Sequence, residues 1–213
     1  MIDWNLIKEQ VFIPKGRRIR TLRITPALDR YEAKSGFALP RSFREFGLAF
    51  GPGTIEPHEW RFAMPGFRKQ EEFADPTALT GWLHGCWGGE VMTDEELGET
   101  MGIDDPARAR RLVLFCRNGS SDFFGWDPLE VTDPDAREYG IYMLGRDDTR
   151  VMRLATRFQR FVLTYCFGGT IDVGEPESAS VLDSEGCELV EYLLPTAEEI
   201  DEFHPLGFYP STR

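Results

Sequence analysis

The chain has 213 residues, 41% of them hydrophobic and 28% charged. With 16 Phe and 5 Trp, this composition excludes wholesale disorder, and no apolar run approaches the ~18 residues of a membrane-spanning helix. The formal net charge is −12, which repels nucleic acid and anionic membrane and attracts basic protein surfaces.

The charge is uneven. Residues 1–45 hold ten Lys/Arg against five Asp/Glu, whereas eleven Asp/Glu and no Lys or Arg occur between Phe161 and Thr212. Solubility is the ordinary reason for such an excess. The opening MIDWNLIKEQ lacks the basic and apolar regions of a signal peptide, so a cytoplasmic protein is expected. The length suits one domain with an elaboration or one and a half domains, and a single domain over 1–213 is expected. Cys86, Cys116, Cys166 and Cys187 form no Cys-x-x-Cys. Cys116 and Cys166 lie in apolar runs, where buried free thiols are expected.

Trp4, Leu6 and Ile7 are spaced as one face of a short helix, and KGRRIRTLRI follows as a basic, extended lead-in. The stretch from Thr25 to Gly53 is the best punctuated in the chain. Thr25 is a candidate N-cap with Pro26 at the first helical position. Leu28 and Tyr31 share a helix face, and Gly36 supplies a left-handed stop. Phe37 and Leu39 turn back to a core. Pro40 restarts a helix carrying Phe43, Phe46 and Leu48-Ala49-Phe50, and Gly51-Pro52-Gly53 ends it.

A strand is expected from Ile55 to Ala63. Residues 64–93 combine Gly and Pro with Phe67, Phe73, Trp82 and Trp87, which reads as an ordered insertion with a helix from Pro76 to His84. Thr93 caps DEELGETMG, and Asp105-Pro106 opens a further turn. LVLFCR at 112–117 reads as a central strand. Asn118-Gly119 marks a hairpin because both residues tolerate positive φ. The partner strand runs from Asp122 to Asp127 and is ended by Pro128. Strands follow at Tyr139–Leu144 and Val151–Leu154. From Thr156, Phe158, Phe161, Val162, Tyr165 and Cys166 keep the spacing of an amphipathic helix. Residues 170–213 form an acidic extension. Within it Thr196 and Glu199 make a capping box, and Leu189–Leu194 is readable as strand or helix.

The order of these elements resembles the SUKH superfamily, which includes fungal cell-wall assembly regulators, the Syd protein and many bacterial immunity proteins. The residues that carry the resemblance are Leu28, Gly36, Phe37, Leu39, Pro40, Phe43, Phe46 and the Gly51–Gly53 turn. The Val113–Trp126 hairpin, Phe158 and Phe161 add to it. It spans roughly residues 25–168, interrupted by an insertion at 64–110. Gly-Pro-Gly stands where such proteins often have Asn-Gly-Gly. The resemblance implies an α+β fold, a mainly antiparallel sheet with helices packed on it. It also implies a non-catalytic role: binding and neutralising a cognate toxin. The alternatives are a regulatory adaptor without a toxin and a small thiol-dependent enzyme using the Cys86 region.

His58, His84 and His204 are too scattered for a metal site, and His84-Gly-Cys86 offers only two ligands. No cofactor is expected. Cys86, among Trp82, His84 and Trp87, is the most enzyme-like cluster, but a reactive thiol needs a base and a lowered pKa. Ser120-Ser121 and Asp147-Asp148 read as turn chemistry. Trp60, Phe124 and Trp126 are core residues by default. The alternative is a concave patch, with these aromatics as anchors ringed by Glu56, Glu59, Asp122 and Asp127 facing a basic protein partner. No nucleic-acid or membrane partner is expected.

Overall fold

The computed structural model describes residues 3, 4, 7, 24–51, 54–55, 58–65, 74–87, 92–145, 150–167 and 192–193. They form an α+β fold around an antiparallel sheet. Trp4 and Ile7 are helical, as their spacing predicts, and the next described elements are two helices, α1 (Ile24–Ser35) and α2 (Arg41–Phe50). Two short strands follow, β1 (Thr54–Ile55) and β2 (Trp60–Phe62). Then come α3 (Pro76–Cys86), α4 (Asp94–Met101) and α5 (Pro106–Arg111). The main strands are β3 (Val113–Arg117), β4 (Phe123–Asp133), β5 (Glu138–Leu144) and β6 (Val151–Ala155). The chain then enters α6 (Phe158–Phe161), a π-helical turn at Val162–Cys166, and a two-residue strand β7 (Tyr192–Leu193). The sheet order is β6-β5-β4-β3-β2-β1-β7, with every pair antiparallel.

Both faces of the sheet are covered. On the inner face Leu28, Phe43, Phe46 and Phe50 of α1 and α2, with Leu39 from the corner between them, meet Phe62, Phe115, Phe124 and Trp126. Phe158, Phe161 and Val162 close this layer, and Trp4 and Ile7 are buried in it. On the outer face Leu79, Leu83, Leu97 and Ala109 meet Leu112, Leu114, Phe123, Tyr142 and Leu144. The segment read as an insertion thus supplies the second helical layer, which accounts for its aromatic and apolar content.

The corner between α1 and α2 is fixed by polar groups as well as by its glycine. Gly36 has φ 71° and donates to Glu32 O at 2.9 Å, the left-handed stop that a residue without Cβ allows. The Glu32 carboxylate accepts from Leu39 N and Arg44 Nη1, each at 2.8 Å. Pro40 begins α2 without offering a side-chain cap. Glu138 of β5 does this work from across the sheet. Its Oε1 accepts from Ser42 N at 3.1 Å and its Oε2 from Phe158 N at 3.1 Å. One buried carboxylate therefore satisfies the first turns of two helices, where N–H groups are orphaned and the dipole favours negative charge.

Several elements differ from the sequence reading. The first helix begins at Ile24, ahead of the expected Thr25 cap. Leu48 faces solvent rather than the core. The expected strand at 55–63 is a tight hairpin with Glu59 at φ 50°. The Asn118 hairpin has its left-handed residue at Ser121, φ 70°. There Asn118 N donates to Asp122 O and Ser121 N to Asn118 O, making a wider loop. Pro128 does not end β4. The pairing with β5 slips between Asp127 and Val131 and resumes to Asp133, because a strand with only one ladder partner at that point tolerates a missing N–H. Glu130, on this irregular run, lies over Gly140, where an added Cβ would come within 2.5 Å of its Cδ.

The closing helix starts at Phe158 rather than Thr156 and widens after one turn, with Phe167 N bonded to Val162 O at 2.9 Å. That i→i+5 turn rotates the side chains out of α-helical phase. Cys166 and Phe167 are buried while Tyr165 is exposed. Pro52-Gly53, residues 66–73 and 88–91, Asp147-Asp148, Thr196 and Glu199 lie outside the described residues. Of the undecided Leu189–Leu194 run, Tyr192–Leu193 pairs with β1 as strand.

Candidate functional site

Strand alternation puts Trp60, Phe124 and Trp126 on one sheet face, and that face is the inner one. Trp60 lies 4.9 Å from Phe124 and 5.7 Å from Phe161, centroid to centroid. Trp126 stacks on Phe115 at 4.3 Å and meets Phe43 edge-on at 5.0 Å. All three are buried, so the concave aromatic patch is corrected: these rings are core, as large hydrophobes are by default. A ring packed under two helices has no face left for a partner.

Asp127 is also corrected as a surface carboxylate. It points to the outer face, is 1% exposed, and anchors α5. Arg111 grips it with Nε at 2.8 Å from Oδ1 and Nη2 at 2.7 Å from Oδ2. Arg108 Nε donates to Oδ2 at 3.2 Å, and Leu129 N to Oδ1 at 3.0 Å. Burial raises the carboxyl pKa, but the Arg111 bonds, the Leu129 N–H and the two guanidinium charges outweigh it and hold it below the ordinary aspartate value. Arg108 also lies 4.6 Å over the Tyr142 ring. Tyr142 Oη in turn donates to Glu130, which pairs with Arg153.

Glu59 and Asp122 do come together at one end of the sheet. The turn holding Glu59 and the loop holding Asp122 are tied by Gly119 N donating to His58 O at 2.9 Å. Glu59 is exposed and pairs with Arg61 at 2.8 Å. Asp122 is half-buried, its Oδ2 accepting from Asn118 Nδ2 at 3.0 Å. Each turn carries a non-glycine residue in the left-handed region, Glu59 and Ser121, a strained conformation that clusters at functional sites. Glu56 lies outside the described residues.

Sequence reasoning missed Arg117, which follows from the same rim. It ends β3 directly opposite Arg61 and lies against the Trp82 and Phe123 rings, 5.5 and 5.6 Å from their centroids. Nothing in the local sequence marks it, because β2 and α3, both distant in the chain, bring Arg61 and Trp82 beside it. Leu129 was missed too; it is 79% exposed on the irregular part of β4.

The Cys86 cluster is open rather than convergent. Cys86 is exposed at the end of α3, and no hydrogen bond joins it to His84 among the described residues. His84 instead stacks on Trp87 at 5.6 Å. Burial and the nearby Arg110 charge lower its pKa. Cys116 and Cys166 are buried free thiols, as expected, with pKa values pushed well up by burial. Among the described residues no group of three or more His, Cys, Asp or Glu is placed to hold a metal ion. Nor is any helix among them long and apolar enough to cross a membrane.

No family model matches the chain, and no curated protein or solved structure matches it significantly.

Proposed function

We propose that this chain is a non-catalytic, SUKH-type protein-binding domain that neutralises a basic toxin by direct binding. The observation that carries this reading is the acidic rim where two strained turns are locked together, Glu59 on one and Asp122 on the other. One backbone bond ties the two turns, and the Arg61 and Asn118 side chains hold the Glu59 and Asp122 carboxylates before a partner arrives, which lowers the ordering cost of binding. The net charge of −12 supports a basic partner, since opposite potentials steer encounter and suppress wrong partners. The ordered resemblance over residues 25–168 supports the immunity role. Inhibition would be steric: the rim seats on the toxin's cationic surface and blocks access to it.

The test is co-purification of the chain with the product of the neighbouring gene at low and high salt. Association at low salt that weakens with salt, and weakens further in Glu59→Lys or Asp122→Lys, is the expected result. No association at low salt overturns the toxin reading.

A further inference from the structure

Arg117 is a cation that meets no carboxylate among the described residues, in a chain of net charge −12. Arg117 and Arg61 are register partners on adjacent strands and share the outer sheet face. Like charges so placed repel. Glu59 answers Arg61 through an exposed ion pair. For Arg117 the side-chain hydrogen bond is Nη2 to Ser121 Oγ at 2.7 Å, and among the described residues its buried Nε has no acceptor.

The group is nevertheless held in place. The guanidinium lies against Trp82 and Phe123, whose rings are themselves 5.8 Å apart. Ser121, in its left-handed conformation, fixes one end of the fork. A pre-set guanidinium loses little freedom when it accepts an anion. Trp82 is 40% exposed beside it, and the other solvent-facing residues of α3, Thr77, Gly81, Gly85 and Cys86, carry no formal charge. Tryptophan and arginine are both enriched among the residues that carry most of the binding energy at protein interfaces.

We propose that Arg117 and Arg61, framed by Trp82, form a notch that takes the carboxylate of a glutamate or aspartate on a partner polypeptide, with an apolar neighbour of that residue resting on Trp82. A planar guanidinium fork matches a carboxylate in two-pronged fashion. Arg61 is free to turn to it, because its exposed pair with Glu59 contributes little. A polyanion is the wrong occupant: nucleic acid or an anionic membrane would meet Glu59, Asp122 and the net negative charge. A single carboxylate on an otherwise basic surface meets no such barrier. The proposal deepens the protein-binding reading, on which the natural partner rests. The notch makes that partner's recognition two-signed, cationic toward the rim and anionic at one point.

The full chain, labelled with ¹⁵N, is titrated with acetyl-Leu-Glu-Leu-amide, with acetyl-Leu-Gln-Leu-amide and with inorganic phosphate. The arginine Nε–Hε and tryptophan indole signals report. The glutamate peptide is expected to shift Arg117 and Trp82 saturably at millimolar concentration, and the glutamine peptide to bind about tenfold more weakly, the factor that one lost charge pair of ordinary strength gives. Arg117→Gln should abolish the difference between the peptides. Trp82→Ala, on an exposed ring and checked by its amide spectrum, should weaken both. No saturable shift overturns the proposal. So does equal binding of the two peptides, which would mean apolar docking alone, or saturation by phosphate without the peptide. Neither arm uses a toxin. A working notch with no toxin association in the co-purification would sink the immunity reading alone, and the reverse result would sink the notch alone.

Discussion

On the inner face of the sheet Phe115, Trp126, Phe158 and Phe161 meet ring to ring, at centroid separations from 4.3 to 6.5 Å. On the outer face the same strands offer Leu114, Phe123, Asp127 and Tyr142 to three short helices. The inner layer is a dense apolar jigsaw that relies on volume and shape. The outer layer is part apolar and part ionic, with Asp127 doing for α5 what a large side chain would do on the other face. Buried ion pairs return little net stability after desolvation. The inner face therefore holds the fold, and the outer face has room for exposed or incompletely paired groups such as Trp82 and Arg117.

The largest effect should come from the inner face. Phe158 lies against Trp4, Phe43, Phe46, Phe62, Phe115 and Trp126. Phe158→Ala is expected to cost about 3–5 kcal/mol, the range for a buried ring that leaves a cavity. Leu79→Ala on the outer face should fall near the low end of its own class, about 2 kcal/mol, because α3 can settle into the space. Urea midpoints at an unchanged m-value measure both. Equal losses would erase the distinction between the faces.

Asp127→Asn tests the ionic part of the outer layer. Removing one partner from a buried pair costs about 3–5 kcal/mol. Arg111 and Arg108 are about one-third exposed and can be rehydrated, so about 2–3 kcal/mol is expected here. The pH dependence has a definite sign. The folded Asp127 pKa is depressed, so its contribution is present above the unfolded value, about 3.9. It is lost as pH falls from there through the folded value. The acid limb of the stability curve should therefore flatten in Asp127→Asn. An unchanged limb would mean that the carboxylate is not what α5 rests on.

Glu138→Ala removes acceptors from two helix starts at once. At about 1 kcal/mol per lost cap the expected cost is about 2 kcal/mol, with Glu138→Gln intermediate because its amide keeps one acceptor oxygen. A loss confined to one helix, read by amide exchange at Ser42 and Phe158, would show that the two caps are not equivalent.

The inner layer was legible because its signals are local and periodic. Leu28 and Tyr31, then Phe43 and Phe46, sit at helical spacing on either side of the clear stop at Gly36, and Phe124 and Trp126 alternate on a strand. Cys116 and Cys166 sit in apolar runs and are buried. The functional reading of Trp60, Phe124 and Trp126 failed because alternation says which residues share a face and not which face is covered. Once helices lie on both sides, as here, no strand aromatic is exposed by default. Glu138, Arg117 and Asp127 were illegible for another reason. Glu138 meets Ser42 across 96 positions, and Asp127 meets Arg111 across 16. No local pattern encodes such a meeting. Thr93 and Glu96 are the opposite case, a capping box readable at three-residue spacing.

A gain rather than a loss is expected at Gly81. It lies within α3 on the solvent side, and an added Cβ would meet nothing within 4 Å. Glycine inside a helix costs about 0.5–1 kcal/mol relative to alanine, so Gly81→Ala should raise stability by that amount. The urea midpoint reads it directly. A loss instead would mean that α3 already packs against something on that side, and the outer face would not be the open one.

The smallest effect should come from His84, a second titrating group of the outer layer. Its folded pKa lies below the ordinary value of 6.5, first through burial and then through the Arg110 charge. The unfolded chain takes up the proton first, so stability is full above 6.5 and declines as pH falls from there to the folded value, then levels. This step begins above the window of Asp127, so a curve of melting temperature against pH should show two onsets. His84→Gln should remove the upper onset and leave the lower one. Arg110 is itself held by Asp94 at 2.6 Å, so Arg110→Gln should shrink the upper step without abolishing it, because burial remains. An upper onset that survives in His84→Gln would assign the step to another group and leave the outer layer insensitive to pH near neutrality.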